Sequence, residues 1–133
     1  MSKLDKESVI GISALLVHAA NIDEIYSEHE KDLIKNFIKS YLKDDSADEI
    51  LKLAEQIENN SNQLLNYTNI IKQKTMEIKT DIVEHLWRVI ISDNTVDQYE
   101  SNLMRRVCGL IYFPDKESAE IKLRLINKKW HIL

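Results

Sequence analysis

Two acidic stretches of this chain, DEIYSEHE at 23–30 and DNTVDQYE at 93–100, carry the residue types and spacing to hold a divalent cation. Each runs from an aspartate through two variable residues to an apolar residue (Tyr26, Val96), a helix-capping residue (Ser27, Asp97) and, three positions on, a glutamate. If the fold brings the two together, Asp23, Glu30, Asp93 and Glu100 supply carboxylate oxygens of the kind that hard cations such as Ca²⁺, Mg²⁺ or Mn²⁺ require, about six to eight of them for calcium. Without a cation, carboxylates so close would raise one another's pKa. The pattern is not an EF-hand, because it lacks the alternating Asp/Asn ligands, the central glycine and the twelve-residue loop.

The same residues admit a second reading. Glu30 and Glu100 both stand three positions after a cap, where a glutamate reaches back to the cap's own amide and needs no metal. Asp23 and Asp93 then serve only to bind turn amides. Composition does not separate the two readings.

The stretches must be positioned by whatever precedes and follows them, and there the chain repeats itself. Laying residue 14 on residue 84 matches Leu16 with Leu86, Asp23 with Asp93, Glu30 with Glu100 and Leu33 with Leu103 without a gap. This is the signature of a diverged tandem duplication. His18, five residues before Asp23, is a further candidate ligand, but its counterpart is Arg88, which binds no cation and is suited to pairing with a carboxylate.

The elements read as helices throughout. Leu4, Val9, Ile12, Leu15, Leu16 and Ala19 fall on one stripe of a helix over 4–21, and Ser27 with Glu30 opens a second whose buried side is Leu33, Ile34, Phe37, Ile38 and Tyr41. Ser46 with Glu49 repeats the cap pattern ahead of Ile50, Leu51, Leu53, Ala54 and Ile57, and a shorter helix follows with Leu64, Leu65, Tyr67, Ile70 and Ile71. Thr75 caps a helix over 76–91 that is apolar around most of its circumference and is therefore expected to be central. Asp97 and Glu100 cap the next, with Leu103, Met104, Val107, Leu110 and Ile111 inward, until Phe113-Pro114 breaks it. Asp115 opens the last, with Ala119, Ile121, Leu123 and Leu125 apolar. No stretch alternates with period two long enough to make a strand.

Composition bounds the function. The 133 residues are 44% hydrophobic and 30% charged with two glycines and one proline, which suits one helical domain over 1–133 with long elements and few turns. The net charge of -4 argues against nucleic-acid binding, although 13 acidic and 7 basic residues fall in 1–66 against 9 and 11 in 67–133. The basic residues of the last two helices, among them Arg105, Arg106, Lys122 and Arg124, read as solvated faces. The lone Cys108 reads as a small buried hydrophobe and Trp87 as core, while Trp130 in the terminal WHIL suits docking on the bundle or on a second copy. No window has the apolar length of a membrane span or of a signal peptide, so a cytoplasmic location is expected. No nucleophile-and-base pattern or glycine-rich phosphate loop is present, and a hydrolase built on two carboxylates lacks substrate-orienting residues. Catalysis and an organic cofactor are not expected.

With Asp23, Tyr26, Ser27 and Glu30 in one copy and Asp93, Val96, Asp97 and Glu100 in the other, the chain resembles the tellurite-resistance TerB-like family, small all-helical bacterial domains with a duplicated acidic turn. The HLWRVIISD and FPDKESAEIKLRL runs are similar to the family's later helices, and the resemblance covers roughly 8–127. The glycine usual after each aspartate is Glu24 in one copy and Asn94 in the other. The resemblance implies an all-α bundle of about seven helices in two pseudo-symmetric halves. It also implies a non-catalytic domain binding divalent cations through Asp23, Glu30, Asp93 and Glu100, linked to tellurite or general stress response. The alternative is a protein-protein interaction module in which those acids only cap helices.

Overall fold

The computed structural model describes residues 4–21, 26–42, 46–60, 64–92 and 98–130. Among them are seven α-helices and no strand: α1 (Lys6–Asn21), α2 (Glu28–Tyr41), α3 (Ala47–Asn60), α4 (Leu64–Lys72), α5 (Met76–Ile91), α6 (Gln98–Ile111) and α7 (Asp115–Trp130). The duplication is visible in the boundaries themselves. Adding 70 to the limits of α1 and α2 gives those of α5 and α6, and α7 starts two residues ahead of the copy of α3 and ends with it.

Local chemistry sets these limits. Asp5 opens α1 by accepting a 2.7 Å hydrogen bond from the Ser8 amide, and the Ser8 hydroxyl together with that amide holds its carboxyl below the usual carboxylate range. Ser27 opens α2 with a full capping box, and Thr75 opens α5 by accepting from the Ile78 amide at 3.3 Å. At the other end of α6, Tyr112 turns into the left-handed region at φ 61 and the Phe113 amide reaches back to the Cys108 carbonyl at 2.8 Å. This is a Schellman stop with a tyrosine where glycine is usual, followed by Pro114, which cannot continue the helix. The Lys72 ammonium lies 5.0 Å and the Lys79 ammonium 6.0 Å from the Tyr112 ring centre, contacts that offset part of the strain.

The core is one continuous cluster. Leu16 and Leu86, the matched pair of the two halves, are both fully buried, as are Ile12, Ile34, Phe37, Ile82 and Ile90. Truncating either leucine to alanine removes packing worth about 2–5 kcal/mol. The expectation that 76–91 is central holds for α5, which packs on α1, α2, α6 and α7, but α1 shares the role by packing on α2, α3, α4 and α5. The apolar stripes were broader in sequence than the contacts need: Leu53, Ile57, Leu65 and Leu123 are exposed, because α3, α4 and α7 each lie on the rim with neighbours on one side.

α4 stands between the two triplets. α2 packs directly on α5, whereas α4 packs on both α1 and α6 and so takes the equivalent place in the other half.

Candidate functional site

The first acidic turn lies between α1 and α2. Ser27 donates its amide to Glu30 Oε1 at 2.8 Å and its hydroxyl to the same oxygen at 3.1 Å, while the Glu30 amide donates to Ser27 Oγ at 3.1 Å. Glu30 is 4% exposed and Glu100, its copy at the start of α6, is 3% exposed. Tyr26 holds the position before the cap, as expected, but the partner one turn into the helix is Lys31, whose ammonium sits 5.1 Å from the ring centre. Its hydroxyl donates to Glu55 of α3 at 2.7 Å, and burial, with the help of that carboxylate, pushes the phenol pKa well up.

Asp23 and Asp93, with the Val96 and Asp97 of the second turn, lie outside the described residues. Among the described residues no three His, Cys, Asp or Glu side chains gather closely enough to hold a metal ion. A cation site on the four acids named from the sequence would thus include residues outside the described ones, and its donors would all be carboxylate oxygens, chemistry that suits a hard cation and not a soft one.

His18 does not stand alone. Its Nδ1 lies 3.8 Å from Glu58 Oε1 of α3, the Asn21 amide donates to Glu58 Oε2 at 3.3 Å, and its ring tilts against Tyr67 at 6.3 Å. Burial lowers its pKa against the opposing pull of Glu58. Arg88, its counterpart, does pair with a carboxylate, Glu84 at 3.5 Å, and Arg124 of α7 reaches the same oxygen at 3.3 Å. His85 stands one turn after Asp81 on α5. In the structure it is tucked between α5 and α2, edge-on to Phe37 at 5.1 Å and 3.6 Å from Asp81, because the tip of α2 covers this part of α5. Trp87 and Cys108 are core as expected, and the indole donates to the buried Ser118 hydroxyl at 3.0 Å.

Two cavities open on matching faces of the duplicated helices. On α1, Glu7, Ile10 and Gly11 line a space of about 410 Å³ closed by Tyr67 and Ile70 of α4 and flanked by Ile57 and Asn66. On α5, the copies of that face are Glu77, Thr80 and Asp81, which with Glu84 line a space of about 330 Å³ closed by Ser40 and Tyr41 of α2. The Tyr41 hydroxyl donates to Asp81 at 2.5 Å, and burial together with that carboxylate raises its pKa. Gly11 is buried in the middle of α1, where glycine costs about 1 kcal/mol against alanine. A Cβ there would press on Ile70 Cδ1, the movable end of a side chain of α4, so the methyl of an alanine fits once that end turns aside and a larger group meets Ile70 directly. No motif marks these two faces. Carrying the 70-residue overlay upstream, so that Glu7 meets Glu77 and Gly11 meets Asp81, is the signal that exposes them.

The architecture defines a class: an all-α bundle of two homologous helix triplets joined by α4, each half carrying a buried glutamate at the start of its second helix. A family model for tellurite resistance protein TerB matches residues 10–123, and the chain belongs to that family. Searches of curated proteins and of solved structures gave no match. No helix among the described residues is long and apolar enough to cross a membrane.

Proposed function

We propose that this TerB-family domain is a non-catalytic binder of a divalent cation, held by Asp23, Glu30, Asp93 and Glu100, and that it acts in a tellurite or general stress response. The observation that carries the reading is the pair of buried glutamates: Glu30 and Glu100 are 4% and 3% exposed at corresponding positions of the two halves. Each follows the aspartate of its own acidic turn at the same spacing, which places a carboxylate alike in both halves, as a shared ligand set requires. Calcium, magnesium and manganese all accept oxygen donors of this kind.

A second reading has its own support. The Ser27–Glu30 capping box satisfies Glu30 Oε1 with local hydrogen bonds, as a domain devoted to binding another protein would also need. The two readings separate in the Glu30→Gln variant, because glutamine keeps the capping box and loses the charge.

After chelation, a cation at 100 times its dissociation constant adds about 2.7 kcal/mol of stability, on the order of 10 °C in Tm for a domain of this size. The expected result is such a rise with Ca²⁺, Mg²⁺ or Mn²⁺ for the native chain and a much smaller one for Glu30→Gln and Glu100→Gln, with Glu30→Gln melting normally in chelator. No ion-dependent shift in the native chain would rule the cation reading out and leave the interaction module.

A further inference from the structure

We propose that the cavity between α1, α3 and α4 binds a small molecule made of an alkyl chain ending in an amine or quaternary ammonium group. Its volume of about 410 Å³ falls in the range of small-molecule sites, roughly 300–1,000 Å³. The walls are apolar: Ile10 of α1, Ile57 of α3 and Ile70 of α4, with the body of Tyr67 behind them. Gly11 forms the floor, and any side chain there would meet Ile70. The space is thus shaped by the residue that leaves it unfilled.

Charge complementarity selects the head group. Among the residues lining the cavity, Glu7 alone carries a charge, and it lies in the exposed first turn of α1. A chain lying against the isoleucines brings its end to this carboxylate, where a cation gains an ion pair and a sulfate or carboxylate meets repulsion. The amide of Asn66 adds a polar group among the lining residues. The matching face of α5 does not offer the same site, since Thr80 and Asp81 replace Ile10 and Gly11 and Tyr41 is hydrogen-bonded across it.

The test uses the full chain and two amphiphiles of equal tail, decyltrimethylammonium and decyl sulfate, each below its micellar concentration, followed by isothermal titration and by methyl NMR. Saturable one-site binding of the ammonium compound is expected, at least tenfold tighter than the sulfate, with the largest shifts at the Ile10, Ile57 and Ile70 methyls. Glu7→Gln should cut that preference to less than threefold at unchanged melting temperature. Ile57→Trp, at a position 39% exposed and so tolerant of size, should abolish binding. Equal affinity for the two amphiphiles, non-saturating binding, or shifts centred on the α5 face would overturn the proposal. So would a dimer in light scattering that the ammonium compound dissociates, since a second copy would then be the occupant.

Discussion

The outward face of α1 near its start and the copy of that face on α5 began as the same surface and now differ in chemistry. On α1 it reads Glu7, Ile10, Gly11 under α4; on α5 it reads Glu77, Thr80, Asp81 under the tip of α2. The difference teaches that the covering element decides what a helix position tolerates. Asp81 is accepted because Tyr41 donates to it and His85 lies 3.6 Å away, whereas α4 brings Ile70 to the corresponding place on α1.

The most severe way to break this comparison is to make α1 resemble α5. Gly11→Asp drives a carboxylate against Ile70 with no donor in place, and a loss of about 3 kcal/mol or more is expected in urea unfolding. A loss below 1 kcal/mol would mean the α1 face hydrates freely, and the contrast between the faces would collapse. Tyr41→Phe tests the other side. Removing the hydroxyl that bonds Asp81 should cost about 1–2 kcal/mol in the same assay, as for a hydrogen bond to a charged group at a half-buried site. Gly11→Ala should stay within about 1 kcal/mol of the native chain, since the gain in helix propensity opposes the displacement of one flexible methyl.

The mildest perturbation is protonation, and it compares the halves through His18 on α1 and His85 on α5. Each has an acid beside it, Glu58 from α3 or Asp81 one turn back, and in each burial wins and lowers the pKa. The unfolded histidine titrates near ~6.5. Between that value and the lower folded one the unfolded chain binds more protons, so stability is complete above about pH 6.5 and falls as the pH drops toward the folded pKa. His18→Gln and His85→Gln should each flatten the slope of Tm against pH between about 7 and 5. A slope unchanged in both variants would assign it to other groups.

Most of the fold was legible because it is local chemistry. Ser27 with Glu30 and Thr75 with Ile78 are caps whose partners lie three residues away, and the period of the apolar residues did the rest. What sequence misjudged were outcomes of packing. Leu53, Ile57, Leu65 and Leu123 satisfy a helical stripe, yet each projects past the edge of its neighbours. His85 is covered by Phe37 of α2, a contact no local pattern records. Of the four acids of the candidate site, Glu30 and Glu100 are found buried at helix starts, and Asp23 and Asp93 fall outside the described residues. The two cavities were hidden because each joins residues from distant helices, and no short motif records which helix covers which face.

The place of α4 between the triplets has a consequence for how molecules of this protein keep apart. A chain with two homologous triplets invites exchange, in which the first triplet of one molecule pairs with the second of another. Because α4 lies against both α1 and α6, it latches the junction between the triplets to each of them, so an exchanged pair would have to peel the latch from one side before closing. The helix that separates the triplets is thus the one that favours pairing within a single chain.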